Sequence, residues 1–186
     1  NRLAEQGAVS FRRWQPGAAV EPWIDAFLDL EARGWKGRAG SALASHGDTE
    51  AWFRAIVAVA ADAGKLDMRL LALDDRPLAM LINFLSPPGG FSFKTAFDED
   101  FARFSPGVLL QQANLDLLGD DRIDWVDSCA APGHPMIDSV WRERRHLVWV
   151  NAPLAGGADR LRFKALVGVE KMWRRWKRAA FAENNL

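Results

Sequence analysis

Ser105, Pro106 and Gly107 close a charged, aromatic run and open an apolar one in the stretch "FARFSPGVLLQQ". Serine is favoured at a helix cap, proline at the first helical position, and glycine leaves the backbone open to close approach. The N–H groups of Gly107, Val108 and Leu109 would then point out of the helix end, where the dipole favours an anion. The stretch therefore offers a phosphate cradle, beside the plainer reading of an ordinary helix start. A second group lies downstream. Cys129 and His134, with Asp138 as orienter, could make a thiolate nucleophile and its base, although a free cysteine is more commonly a small buried apolar group. His46, His134 and His146 are too scattered to argue for a ligand set, so no metal is expected.

Periodicity supplies the elements that must hold these groups. Residues 9–14 suit a short strand. "EPWIDAFLDLEARG" suits a helix, with Pro22 in its first turn, Trp23, Phe27 and Leu30 on one face, and Gly34 as its stop. "WKGRAGSALASHG" is expected to be loop. "DTEAWFRAIVAVAADAG" is expected to be a helix capped by Asp48 or Thr49, with a stripe of Trp52, Ile56, Val59 and Ala63 and an end at Gly64. Three strand-like runs follow, "MRLLAL", "LAMLINFLS" and "FSFKTAF", separated by turns at residues 74–77 and 87–90. In the third, alternation puts Phe91, Phe93, Thr95 and Phe97 on one face and Ser92, Lys94 and Ala96 on the other. The helix that opens at Ser105 should run to about Leu118. A strand over "IDWVDSCA", a helix over "HPMIDSVWRERR", a strand over "HLVWV" and a long C-terminal helix complete the chain, the first half of the last one being readable as strand too. This order describes an α+β sandwich with a mixed, mostly antiparallel central sheet flanked by helices.

Composition narrows the function classes. The 186 residues suit one domain or slightly more, half of them are apolar, and the formal net charge is zero, so no global field draws the chain to nucleic acid or membrane. One cysteine excludes a disulfide framework within the chain and fits a reducing, cytoplasmic setting. No apolar run reaches a membrane span, and neither a nucleic-acid partner nor a membrane surface is expected. Nine tryptophans and eleven phenylalanines accompany no tyrosine, which closes any mechanism that needs a tyrosine proton donor from this chain.

Residues 27–43, "FLDLEARGWKGRAGSAL", and 94–110, "KTAFDEDFARFSPGVLL", resemble the two signature stretches of the acetyltransferase family that includes the CelD-type cellulose-biosynthesis proteins. That family is related to the Fem-type aminoacyl transferases and lies within the GCN5-related N-acetyltransferase (GNAT) superfamily, whose element order the chain also shares. The resemblance covers roughly residues 11–150. It implies a GNAT-like fold and an N-acyltransferase that takes acetyl-CoA or another acyl-CoA and a small-molecule or glycan amine acceptor, linked to polysaccharide or envelope synthesis. Family members carry two such halves, so a start at Asn1 rather than Met fits a single GNAT-like domain over residues 1–186 that lacks an N-terminal half.

Particular positions follow from the resemblance. Ser105, Pro106, Gly107, Val108 and Leu109 match the turn and helix that hold the coenzyme A pyrophosphate. The GNAT loop is richer in glycine, which leaves room for another phosphate-bearing donor such as an aminoacyl-tRNA. Trp35, Lys36 and Arg38 fall beside the acceptor site, and Lys94 near the same cleft. Transfer to an amine needs a base for the ammonium proton. Asp127, with Ser128 beside it at the end of its strand, is the first candidate, and Asp98 or Glu99 the second. Trp141, Arg142, Arg144 and Arg145 would end a helix, where cations complement the dipole or reach donor phosphates.

The C-terminal segment, residues 158–182, segregates its charge. Leu166, Val169, Trp173, Trp176 and Ala180 form one stripe, with Lys164, Lys171, Arg175 and Arg178 opposite. Residues 160–178 carry a local net charge of +7. Such a helix covers a core or lies on RNA or a membrane surface. Beside the acyltransferase reading stands a second one, a GNAT-like scaffold or partner-binding domain without catalysis.

Overall fold

Three apolar runs joined by tight turns make an antiparallel meander. The computed structural model describes residues 2–148, 150, 152 and 158–183, with side chains of the last helix described over 160–173. The chain divides into two units, Asn1–Arg142 and Glu143–Leu186. In the first, the elements are β1 (Val9–Arg13), α1 (Glu21–Arg33), α2 (Trp35–Arg38), α3 (Gly47–Asp62), β2 (Leu66–Leu73), β3 (Arg76–Ser86), β4 (Gly89–Phe97), α4 (Pro106–Asn114), β5 (Trp125–Asp127) and α5 (Pro135–Asp138). The described part of the second holds α6 (Ala158–Glu183), helical throughout rather than strand in its first half.

The sheet runs β1-β2-β3-β4-β5, antiparallel except for the β4–β5 pair. The β2–β3 hairpin turns on Asp74 and Asp75, both left-handed (φ 46° and 67°), the conformation of a two-residue type I′ turn that aspartate tolerates. α1 and α3 cover one face with Phe27, Leu30, Phe53 and Val57 against Met68, Leu70, Met80 and Ile82. α4 covers the other, with Leu110 against Leu71, Leu78, Ala79 and Leu81.

Bulges change the expected alternation in β4. Ile82 pairs with Lys94 and Asn83 with Ser92, so Phe93 is an extra residue. Ser92, Thr95 and Phe97 face α4, whereas Phe93, Lys94 and Ala96 face α1 and α3. The face assignment made from alternation alone is corrected here: Phe93 and Thr95 part company, and so do Ser92 and Lys94.

Other local expectations also change. Residues 35–45 are not plain loop, since they hold α2 and a 3₁₀ turn over Leu43–Ser45. α3 starts at Gly47 without a side-chain cap, and the Thr49 hydroxyl instead reaches the carbonyls of Leu43 (2.6 Å) and His46 (2.8 Å). Its buried residues are Phe53 and Val57; Trp52 and Val59 point outward, the former 52% exposed and lying against Phe93. A run apolar on several sides leaves the helical phase undetermined. The helix expected over 134–145 stops at Asp138, where Val140 and Trp141 both donate to the Ile137 carbonyl. No strand forms over the described residues 146–148 and 150, Trp149 lying outside them, and a short apolar run becomes a strand only where a sheet edge takes its backbone groups.

Beneath α4 the meander carries a buried polar network. Asp67 accepts from Arg13, from Arg69 Nε (2.9 Å) and from Asn83 Nδ2 (2.8 Å). Asn83 Nδ2 also donates to Asn114 Oδ1 (2.8 Å), and Asn83 Oδ1 accepts from Ser92 (2.8 Å). Arg69 Nη1 donates to the Ala113 carbonyl (2.6 Å), which ties β2 to the end of α4. Leaving a buried polar partner unmatched costs about 1–3 kcal/mol. Asn83→Ala strips a partner from Asp67, Ser92 and Asn114 together, so urea unfolding should show a loss of about 2–3 kcal/mol with the denaturant slope unchanged.

Candidate functional site

α1 buries Ile24, Phe27, Leu28 and Glu31 along one face, a helical spacing that puts a carboxylate at a core position. Glu31 is 3% exposed. Its Oε2 accepts the Leu43 N–H (2.8 Å), and its Oε1 takes Lys94 Nζ (2.7 Å) and Lys36 Nζ (3.2 Å). Burial pushes this carboxyl up, but the Leu43 N–H, then the hydrogen bond and charge of Lys94, then the charge of Lys36, together bring it below its usual 4.5.

α2 sits against the end of α1 because residue 37 is glycine: a Cβ there would lie 1.7 Å from the Ala32 carbonyl oxygen. The Trp35 N–H donates to Glu99 Oε1 (2.5 Å), and Arg38 donates to Glu99 Oε2 (2.5 Å). The Arg38 guanidinium, and after it the Trp35 N–H, hold the Glu99 carboxyl below the usual range, which makes it a weaker base than an ordinary glutamate. A cleft opens between α1, α2 and the end of β4, lined among others by Glu31, Trp35, Lys36, Thr95, Phe97 and Glu99. The Trp35 ring is 56% exposed, with Lys36 Nζ 6.0 Å from its centroid. The structure thus gathers Trp35, Lys36, Arg38, Lys94 and Glu99 in one neighbourhood. It adds Glu31, whose signal in the sequence was a carboxylate at an apolar-stripe position. Asp98 lies outside the cleft, where it accepts from Arg76 (2.6 Å) and from the Asp100 N–H (3.1 Å).

The start of α4 differs from the expected cap. Ser105 is left-handed (φ 53°) and its side chain caps nothing; its carbonyl takes the Leu109 N–H at 3.1 Å. The N–H groups of Gly107 and Val108 precede that first intrahelical bond. Pro106 and Gly107 are buried, Val108 and Leu109 half-buried. The close approach at Gly107 is already used by this chain, because a Cβ there would lie 2.8 Å from Met136 Sδ and 3.6 Å from the Phe97 ring. Behind this turn, Gln111 donates to Thr95 Oγ1 (3.2 Å) and accepts from Trp141 Nε1 (3.2 Å), a link among β4, α4 and the segment after α5 that sequence reasoning missed.

β5 pairs with β4 over three residues only, Gly89 with Trp125, Gly90 with Val126 and Phe91 with Asp127. Asp127 and Ser128 therefore stand where the two strands part. Asp127 Oδ1 accepts the Cys129 N–H (2.8 Å), and Ser128 lies 3.5 Å from the Ala130 N–H. Partial burial, then the Asp127 charge, push the Cys129 thiol up, which disfavours a thiolate. His134 Nδ1 accepts the Ile137 N–H (3.4 Å) as the cap of α5, and no hydrogen bond joins it to Cys129 among the described residues. The nucleophile arrangement is thereby corrected. Since α5 ends at Asp138, Arg142, Arg144 and Arg145 do not stand at its C-terminus either. Among the described residues no group of three His, Cys, Asp or Glu could hold a metal, and no helix is long and apolar enough to cross a membrane. In α6 Leu166, Val169 and Trp173 are exposed; the side chains of Trp176, Ala180, Arg175 and Arg178 lie outside the described residues.

A family model described as acetyltransferase (GNAT) domain matches residues 1–134. Among curated proteins none matches. Among solved structures, the chain is similar to a GCN5-related N-acetyltransferase from Ralstonia eutropha JMP134, with 14% identity, 80% of this chain and 100% of that one covered, and a TM-score of 0.59. It is similar to an aminoglycoside acetyltransferase, meta-AAC0020, from an uncultured soil metagenomic sample in complex with sisomicin (12% identity, 79% and 97% covered, TM-score 0.55). A third is AAC(6')-Iy in complex with a bisubstrate analogue, CoA-S-monomethyl-acetylneamine (11% identity, 78% and 99% covered, TM-score 0.55). At such identities the likeness is one of fold.

Glu31 gives the site a pH signature. A carboxyl depressed in the folded state adds stability above its unfolded value, near 4.5, and that contribution is lost as pH falls through the folded value. Glu31→Gln should cost about 3 kcal/mol at pH 7, and the gap from the native chain should narrow as the pH falls below about 4.5 in urea unfolding at a series of pH values.

Proposed function

The chain belongs to the acetyltransferase (GNAT) domain family, and from that premise we propose that it is an N-acyltransferase that moves an acyl group from acyl-CoA to an amine. One observation carries the reading: β4 and β5 part after Phe91 and Asp127, and α4 opens after the other end of β4 with N–H groups that no helical carbonyl takes. A parting of strands gives a thioester somewhere to enter between them, and the helix start supplies donors for phosphate.

In this mechanism Gly107 and Val108 hold the donor pyrophosphate with backbone N–H groups, while the Leu109 N–H, expected to join them, is taken by the Ser105 carbonyl. The amine nitrogen attacks the thioester carbonyl, the developing oxyanion takes a backbone N–H of β4, and the carbon–sulfur bond breaks as the amide forms. Asp127, directly or through water, receives the proton that the amine loses. The departing thiolate is protonated by water, since the chain has no tyrosine to do it. Asp127 is preferred to Glu99 because both oxygens of Glu99 are already taken, one by the Trp35 N–H and one by Arg38, which also weakens it as a base. The cleft lined by Trp35 and Lys36, with Arg38 and Lys94 bonded to its carboxylates Glu99 and Glu31, receives the acceptor, which the likeness of residues 27–43 and 94–110 to CelD-type proteins suggests is a glycan or envelope-related amine met in the cytoplasm, with an N-terminal half completing the pocket. The crystallised neighbours bind sisomicin and a coenzyme A bisubstrate analogue, which supports an amine acceptor and a coenzyme A donor.

Acetyl-CoA at 1 mM should raise the melting temperature by several degrees, since a ligand that binds only the folded chain stabilises it. Gly107 is a poor site for the control variant because Met136 lies against it. Ser105→Asp is better: aspartate tolerates the left-handed conformation and suits a helix start, yet its charge repels phosphate. The variant should keep its melting temperature and lose the acetyl-CoA shift; no shift in the native chain would leave a scaffold without catalysis. Asp127→Asn should lower kcat at neutral pH by about 10²-fold or more in a thiol-release assay, and unchanged turnover would remove Asp127 as the base.

A further inference from the structure

We propose that the acceptor amine is carried on an anionic scaffold, whose carboxylate or phosphate is held by the ammonium groups of Lys36 and Lys94. The inference rests on the acyltransferase reading for the word acceptor, but the anion site itself rests on geometry. Both ammoniums reach the same oxygen, Glu31 Oε1, at 3.2 and 2.7 Å. The second oxygen of Glu31 is taken by the Leu43 N–H. One carboxylate thus answers two cations whose side chains are only 24% and 22% exposed. Neither lysine has another ion pair among the described residues, so a positive charge remains in excess in a part-desolvated place, where charge is costly unless paired. Each ammonium carries three donors and uses one here.

The other groups at the cleft point the same way. Its two carboxylates, Glu31 and Glu99, are both committed to cations of the chain, the second to Arg38. A polycationic acceptor would find no uncommitted carboxylate there, whereas an anion would offset the surplus. Lys36 lines the cleft beside the exposed Trp35 ring, a flat apolar surface for the scaffold that carries the anion. An amino sugar acid, an amino sugar phosphate or an amino acid derivative has the required pair of groups.

Lysine 1Hε/13Cε signals of the full chain, titrated with inorganic phosphate and separately with acetate, test the site without any acyl donor. Signals of Lys36 and Lys94 should move together and saturate at millimolar anion, while exposed Lys65 drifts without saturating. Lys36→Gln should weaken the saturating response of Lys94 at least tenfold. Lysines 36 and 94 that behave like Lys65, or a Lys36→Gln variant that binds as tightly as the native chain, overturn the proposal. Saturation by both anions admits either source, and saturation by phosphate alone selects it. In the acetyl-CoA assay, glucosamine 6-phosphate or muramic acid should exceed glucosamine in kcat/KM at least tenfold, by more at low salt; equal values overturn the acceptor assignment. Saturation of Lys36 and Lys94 in a chain that shows no acetyl-CoA shift would keep the anion site and remove the acyltransferase reading alone.

Discussion

A single carboxylate organises the side of the sheet that α1 and α2 cover. Glu31 sits on the buried face of α1 and draws in a backbone N–H from the 3₁₀ turn, an ammonium from α2 and an ammonium from β4. Remove its charge and three elements lose their common partner at once. The position is costly to hold, because a carboxylate in an apolar stripe must be matched to be tolerated. Matching it with two cations rather than one makes an internal strut that joins α1 to both α2 and β4.

The opposite face of the meander solves the same problem differently. Asp67 is buried between Arg13, Arg69 and Asn83, and the network is extended by neutral amides and a hydroxyl through Asn83, Ser92 and Asn114. There the side-chain amides link three strands to α4, and the arrangement is closed over by that helix. One face spends buried polarity on fixing α4, whose first turn is the donor end of the proposed mechanism; the other spends it on the acceptor end. The sheet between them keeps the two at a set distance.

The sequence carried the meander, its hairpins and the place of α4 plainly, because alternation, turn residues and a proline at a first helical position are local signals. Trp35, Lys36 and Arg38 were singled out through the family resemblance; α2 brings Trp35 and Arg38 to Glu99 and Lys36 to Glu31. What could not be read locally was long-range. Glu31 stands at a stripe position of α1, but the ammonium that answers it comes from β4, far along the chain. α3 offered apolar residues on more than one side, and only the sheet decides that Phe53 and Val57 go inward while Trp52 turns out. Met136 at Gly107 shows the same limit, since the glycine is explained by a side chain that lies far along the chain. The described residues of the run at 146–150 form no strand, and whether a sheet edge meets such a run is not written in its own residues.

The extra residue at Phe93 works as a phase change in β4. Before it, even-numbered Ser92 faces α4; after it, even-numbered Lys94 faces α1, while odd-numbered Thr95 turns to Gln111. The strand therefore presents a hydroxyl, then an aromatic ring and an ammonium side by side, then a hydroxyl again on the first face. Strict pleating would swap the last two, placing the ammonium among the amides under α4 and the threonine against a lone carboxylate. Strand length, counted in single residues, is thus as much a determinant of this surface as the identity of any side chain on it.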